Sequence, residues 1–421
     1  SRDEIDRVRE ERLLGDLLPW AYQRSALIRQ TWDAAGITAD DIQSMDDFHA
    51  KVPFIDKDAV RAFRDRHRDP YGGLLCLDPM MTEVFSAIFS TSGTTGDPTP
   101  APYAGRGPSM LVREFWELGC RPGDYFTHML FTFRGPGIHD TIRGIGATPI
   151  FLDHHPSDFA QLFRCSRELR PTAWYTLSGP LVAALQRLAP EMGVDLAATF
   201  ASYRGVVFAG EPIGPRARAM VEGWGLELFM QTGVGDVGAA TECREHDGCH
   251  FWEDTAYIEH LDPEGAAPVG DGERGELVST TLIDKIAPLI RYRSDDLVRV
   301  TRERCACGRT HGRLWPLGRK GDEVVVDGRS VLPGDVWAAV EGVPETSAGL
   351  FQVIRAGREV DRLRLRVGYA SEGSKGLADL CTRVTDAVSA AVGVEPEVEL
   401  VENEVLLRQG PPHKIPRVAK A

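Results

Sequence analysis

Between residues 148 and 231, short apolar runs alternate with stretches of helical periodicity, and this restricts the fold more than any other feature of the chain. TPIFLD at 148–153 reads as a strand, SDFAQLFRCSREL at 157–169 as a helix, and PLVAALQRLAPEM at 180–192 as another. RGVVFAG at 204–210 and LELFMQ at 226–231 read as buried strands, each leading into a glycine-containing turn. A strand and a helix in turn cannot each bury an apolar face alone, so the expected fold class is α/β, with helices layered on a sheet. Upstream, residues 3–14 read as an amphipathic helix and 20–63 as short helical pieces. From 251 to 300 the texture becomes more purely β, with DPEG at 262–265 as a turn.

A boundary is expected at 318–321 (GRKG). Beyond it, EVVVDGRSV at 323–331 reads as a hairpin turning at Asp327-Gly328. A helix at 334–341, strands near 349–355 and 362–368, a long helix near 375–392 and a strand at 397–402 complete a small α+β module. The expected domains are therefore 1–318 and 319–421.

The bulk numbers exclude several classes. With 421 residues, 43% apolar and 26% charged, the chain can bury a substantial core. A net charge of −14 argues against a nucleic-acid or anionic-membrane surface. No apolar run approaches the roughly 18 residues of a membrane span. Ser1-Arg2-Asp3-Glu4 opens directly into a charged helical pattern, so no signal peptide is expected, and the mostly isolated cysteines among the eight fit a reducing cytoplasm.

The run Ser90-Thr91-Ser92-Gly93-Thr94-Thr95-Gly96-Asp97-Pro98-Thr99 follows an apolar stretch, VFSAIF at 84–89. Hydroxyls and free backbone N–H groups donate to phosphate oxygens, and glycine allows close approach. No Gly-Lys-Ser/Thr follows, so it is not a Walker loop. A polar surface loop is the ordinary alternative.

This run resembles the signature loop of the acyl-adenylate-forming superfamily, in particular its phenylacetate–coenzyme A ligase-like family. The resemblance extends in order along nearly the whole chain. It includes Ala35-Gly36-Ile37, Asp41-Ile42, Val52-Pro53-Phe54, Gly210-Glu211-Pro212, His250-Phe251-Trp252-Glu253-Asp254, Gly275-Glu276-Leu277-Val278 and Ile290-Arg291-Tyr292-Arg293-Ser294-Asp295-Asp296-Leu297. It implies a large adenylation domain, a small mobile C-terminal domain, and ATP, Mg²⁺ and coenzyme A as co-reactants with a small acid, by default an aromatic one. An amine, a carrier protein or nitrite chemistry are alternative outlets, and a nucleotide-binding protein without turnover is a rival. A second copy of the chain is a further possible partner.

By the same resemblance, Ser92, Gly93, Thr94, Thr95 and Gly96 hold phosphates, and Gly210, Glu211 and Pro212 form the adenine-side turn. Thr232 and Gly233 complete the nucleotide site with Arg319, which follows Gly318 at the hinge. Asp296 binds the ribose, its ordinary alternative being an ion pair with Arg291 or Arg293. Lys414 is the catalytic lysine closing on the α-phosphate. The family's Tyr-Gly-x-Ser/Thr-Glu run corresponds to Thr232-Gly233-Val234-Gly235-Asp236, which makes Asp236 the magnesium ligand. Gly235 lacks the family hydroxyl, and Gly321 stands where a hinge aspartate is usual.

Cys243-x-x-His246 and Cys305-x-Cys307 supply three thiols and an imidazole, a donor set suited to a closed structural zinc site. Cys249 and His250 are substitutes, and relatives with similar segments bind zinc. His139, His154, His155, Arg134 and Arg143 are weaker substrate-facing candidates. Phe131, Phe133 and Trp174 belong to an aromatic pocket or, more ordinarily, to the core.

Overall fold

The computed structural model describes residues 1–76, 87–90, 100–103, 111–129, 135–153, 156–370, 376–409 and 415–420. Contacts divide the chain into two compact units. The first comprises Ser1–Glu114, Thr132–Gly144 and Gly233–Pro316; the second comprises Phe115–Phe131, Ile145–Thr232 and Leu317–Ala421.

The first unit opens with the helix Arg2–Arg12, capped by the Ser1 hydroxyl, which accepts the Glu4 amide. A π-turn, Leu13–Leu17, leads on to the helices Leu18–Arg24 and Ala26–Ala34. Their apolar faces bury Leu13, Leu17, Leu18, Ile28 and Trp32 against Phe48, Tyr257 and Ile290. The β-rich texture resolves into Ala256–Leu261, Arg274–Thr281 and Tyr292–Thr301, paired antiparallel in that order. Arg313–Arg319, Cys249–Phe251 and Gly238–Glu242 continue the series, the last two joined by a hairpin. Arg313–Arg319 runs across the boundary between Pro316 and Leu317.

The second unit contains the expected alternation as a parallel sheet in the order Thr148–Leu152, Tyr125–Met129, Ala173–Leu177, Gly205–Phe208, Leu228–Val234. The last two residues of that final strand fall in the first unit. The helices Pro156–Leu169, Gly179–Glu191 and Pro215–Gly223 follow successive strands. They bury Leu162, Phe163, Leu181, Leu185 and Val221 against Trp174, Val206 and Leu228.

The C-terminal part of this unit follows the expected α+β pattern. Val324–Val326 pairs with Arg329–Val331 through Asp327 and Gly328, both at positive φ, as a two-residue primed turn requires. The helices Pro333–Gly342 and Leu377–Val392 accompany a sheet ordered Pro396–Glu402, Leu363–Tyr369, Phe351–Arg355, Val418–Lys420. The short last strand has no periodicity long enough to be read from sequence.

Candidate functional site

Asp236, the expected magnesium ligand, and Asp296, the expected ribose ligand, stand 60 positions apart in the first unit. Asp236 follows the strand Leu228–Val234, is exposed and takes the left-handed conformation at φ 61°. Aspartate tolerates that region better than most residues. The Tyr292 hydroxyl donates to Asp236 Oδ2 at 3.5 Å. Burial, then the fields of Asp236, Asp296 and Asp295, push the Tyr292 pKa up, so the phenol stays a proton donor among carboxylates.

Asp296 sits on the strand Tyr292–Thr301 just after a kink in which Asp295 adopts φ 64°. The buried Ser294 hydroxyl donates to the Leu277 carbonyl at 3.2 Å and accepts the Asp296 amide at 3.3 Å, which fixes the backbone beneath the carboxylate. Arg291 is directed to Glu259 at 2.7 Å, and Arg293 to Glu276 at 2.6 Å. Both arginines are thus committed to other carboxylates.

Gly235 has a steric reason. Its φ is +49°, and a Cβ there would meet Ser279 Oγ at 2.4 Å. The same Ser279 hydroxyl donates to the Gly235 carbonyl at 3.0 Å. A serine or threonine at 235 would need both a strained backbone and a displaced Ser279. Gly321 has no such constraint: its φ is ordinary, and a Cβ there would have nothing within 4 Å.

The cysteine clusters converge in the same unit. The ligand atoms of Cys243, His250, Cys305 and Cys307 all lie within 4.8 Å of one another. Cys243 and Cys305 sulfurs are 3.8 Å apart, and Cys307 Sγ stands 3.4 Å from His250 Nε2. Ligands about 2.3 Å from a tetrahedral centre stand about 3.8 Å apart, so the sulfur spacing suits zinc.

The histidine differs from the one paired with Cys243 in sequence. His246 lies in the turn at φ 50° with Nδ1 3.2 Å from Glu242, and it does not join the group. His250 takes the place because the pairing of Cys249–Phe251 with Arg313–Arg319 brings it beside the 305–307 turn. Its Nδ1 is 3.1 Å from the His311 carbonyl, which can only accept, so Nδ1 carries the proton and Nε2 keeps its lone pair for a metal. Adjacent strand residues point to opposite faces, which turns Cys249 away from it. Burial lowers the His250 pKa to about 4 and raises the Cys243 thiol to about 12.

In the second unit, Gly210 follows the strand Gly205–Phe208 at φ +101°, a conformation that suits only glycine. The Glu211 carboxylate is held by Arg417, 2.8 Å away. Pro212 continues the turn, Thr232 lies within Leu228–Val234, and Arg319 ends Arg313–Arg319 beside Gly318, which has φ +144°. Gly233 opens the last segment of the first unit and is exposed. Trp174 is fully buried in the core, and Arg143 is exposed on the helix Gly135–Gly144. Ser92, Gly93, Thr94, Thr95, Gly96, Phe131, Phe133, Arg134, His154, His155 and Lys414 lie outside the described residues. The flanks of the phosphate loop are described: Ala87–Ser90 pairs antiparallel with Pro100–Tyr103, Ser90 opposite Pro100. Tyr292, Ser279, Glu341 and Arg417 were given no role by sequence reasoning. Only Tyr292 carried a signal, its place in the Ile290–Leu297 motif.

No family model matches the chain. It is 29% identical over 380 residues to the phenylacetate–coenzyme A ligase of Thermus thermophilus, covering 87% of this chain and 82% of that protein. It is 28% identical over 420 residues to the Escherichia coli enzyme of the same name, covering 95% and 92%. A solved 2-hydroxyisobutyryl-CoA ligase, in the postadenylation state with 2-HIB-AMP, superposes with a TM-score of 0.85 at 24% identity, over all of this chain and 90% of that one. The α/β architecture with its C-terminal subdomain is that of the adenylate-forming CoA ligases. Beyond that fold, the chain is similar in sequence to the phenylacetate–coenzyme A ligases over most of its length.

Proposed function

We propose that the protein is an AMP-forming acid–coenzyme A ligase that activates a small carboxylic acid with ATP and then transfers the acyl group to coenzyme A. The observation that carries this reading is the meeting of Asp236 and Asp296 around Tyr292, in a chain similar to phenylacetate–coenzyme A ligases over most of its length. In the first step a carboxylate oxygen of the acid attacks the α-phosphorus, the α–β phosphoanhydride bond breaks, and pyrophosphate leaves. In the second, the coenzyme A thiolate attacks the acyl carbon and AMP leaves.

Each residue has an assigned place in this reading. Exposed Asp236 is a hard oxygen ligand for Mg²⁺, which would neutralise charge on the leaving pyrophosphate. Asp296, its backbone fixed by Ser294, accepts from the ribose hydroxyls. Ser92–Gly96 holds the β- and γ-phosphates, the Gly210–Pro212 turn and Thr232–Gly233 border the base, and Lys414 neutralises the α-phosphate. Arg319 lies at the hinge between the activating part, 1–318, and the mobile part, 319–421. Cys243, His250, Cys305 and Cys307 would hold a structural zinc, and four protein donors would leave it no open position for the reaction. An aromatic acid is the proposed substrate class, and the reducing cytoplasm the proposed location.

The test is pyrophosphate release from ATP–Mg²⁺ across a panel of aromatic and small aliphatic acids and nitrite, with and without coenzyme A. Release that needs one acid, with an acyl-CoA product, is expected. Release followed by AMP formation without coenzyme A would transfer the second step to an amine or carrier-protein acceptor. Absence of release with every acid would overturn the reading in favour of nucleotide binding without turnover.

A further inference from the structure

The turn after the strand Gly205–Phe208 is gripped at two points by the C-terminal part of the same unit, and the two grips have opposite polarity. At the first, Arg417 donates from Nε and Nη2 to Glu211 Oε2 at 3.1 and 2.8 Å. It also donates from Nη1 to the Gly349 carbonyl at 2.7 Å, and its guanidinium lies 3.7 Å from the Trp337 ring centre. Only 10% of the Arg417 side chain and 4% of that of Glu211 are exposed. At the second point the anion comes from the C-terminal part. Glu341, on the helix Pro333–Gly342, accepts the Arg216 amide at 3.1 Å and the Trp337 indole N–H at 2.9 Å. The helix Pro215–Gly223 has Gly214 at its N-cap and no side-chain cap of its own, so Glu341 supplies both cap and counter-charge to its dipole.

Three glycines clear the space. A Cβ on Gly179 would meet Glu211 Oε1 at 2.2 Å, one on Gly214 the Glu341 carboxylate at 2.1 Å, and one on Gly349 Glu341 Oε1 at 2.8 Å. The cavity between the two grips holds about 20 Å³, bordered by Gln186, Phe208, Met220 and Trp337. That is room for one water and not for an acid or a nucleotide. The assembly is a joint, not a binding pocket.

We propose that Glu211 is a positioning residue that acts through Arg417. With Glu341 it forms a clasp that fixes the strand Val418–Lys420 and its partner Phe351–Arg355 beside the Gly210–Pro212 turn. Glu211 then contributes to the rate of acid activation and not to ATP affinity, because its carboxylate is already committed to a guanidinium. Arg417 stands three residues after the proposed catalytic Lys414 in the sequence. The inference rests on the ligase reading for the step whose rate is measured.

The test uses the full chain, with pyrophosphate release and hydrogen exchange measured on the same preparations. Glu211→Gln and Arg417→Gln should each lower kcat about 10- to 100-fold, the scale of a small misplacement of reacting groups. KM for ATP should stay within about threefold, since uniform nucleotide binding is untouched. Arg417→Lys should recover part of the rate, and the double Gln variant should be no slower than either single one. Amides of 216–220 should exchange faster in Glu341→Gln, and those of 418–420 faster in Arg417→Gln. A raised ATP KM with kcat kept in Glu211→Gln would make that residue a nucleotide contact and overturn the clasp. So would an Arg417→Gln enzyme with unchanged kcat. If the wild type releases no pyrophosphate with any acid, the ligase reading falls, and the exchange data decide the clasp by themselves: faster exchange supports it and unchanged exchange overturns it.

Discussion

The Cys/His centre of the first unit and the carboxylate–arginine clasp of the second both place ionisable groups out of water, and they resolve the cost in opposite ways. In the clasp every charge arrives with its counter-charge: Arg417 answers Glu211, and Glu341 lies against the start of a helix. In the Cys/His centre three thiols and an imidazole crowd within 4.8 Å, with the charges of Arg309 and Arg313 acting on His250. Burial holds the Cys243 thiol at about 12 and His250 at about 4, so both groups are neutral near pH 7 without a metal. A divalent cation reverses that preference, stabilising the thiolates and using the free Nε2 lone pair. A buried set of charges complete in itself indicates architecture; a buried set of soft donors at tetrahedral spacing suits a metal ion.

The largest expected effect breaks the comparison at the metal centre. Purified protein should contain about one zinc per chain, because structural sites of this donor type bind with on the order of 10 kcal/mol of apparent free energy. His250→Ala and Cys305→Ser should lose the metal and unfold at markedly lower temperature, whereas His246→Ala should keep it. Metal analysis showing no zinc in the wild type, or zinc lost from His246→Ala and retained in His250→Ala, would sink the assignment. The proposed catalysis does not pass through this ion, so brief chelation that leaves the fold intact should leave kcat unchanged.

A middle-sized effect breaks the clasp without removing a charge. Gly214→Ala drives a methyl to within 2.1 Å of the Glu341 carboxylate. Overpacking of this kind costs about 1–3 kcal/mol, and denaturation should show it together with faster exchange at 216–220. Gly321→Asp, which restores the family's hinge residue in open space, should change stability by less than about 0.5 kcal/mol. Equal stability of Gly214→Ala and wild type would mean that the clasp yields without cost.

The contrast also explains what could be read in advance. The alternation at 148–231 and the Asp327-Gly328 turn were legible because they depend on neighbours in sequence: period, turn chemistry and strand length. The resemblance singled out Asp236 and Asp296 as motif positions, and the fold brings both carboxylates to act on Tyr292. The choice of His250 over His246 was not legible, because both stand close to Cys243 along the chain and only the pairing of His250 with Arg313 decides between them. The Glu211–Arg417 pair spans 206 residues and has no local signature. Trp174 followed the plainer of its two readings, since an aromatic on a buried strand between helices usually belongs to the core. Gly235 was visible as a departure from the motif but its reason was not, since that reason is a hydroxyl 44 residues away.

The smallest effect concerns the Glu341 proton. Desolvation raises its pKa above the ordinary 4.5, and the amides of Arg216 and Ala217, the Trp337 indole and the Arg417 charge oppose that rise without cancelling it. A carboxyl with a raised folded-state pKa binds its proton more tightly folded than unfolded. Its contribution to stability is therefore fully present below pH 4.5 and is lost as pH rises through the folded value. The stability of wild type minus that of Glu341→Gln, from urea denaturation at a series of pH values, should fall as pH climbs from 4.5. A difference that widens instead would mean that the helix terminus and Arg417 outweigh burial. The clasp would then be tightest with Glu341 ionised, held by the Arg216 amide and the Arg417 charge.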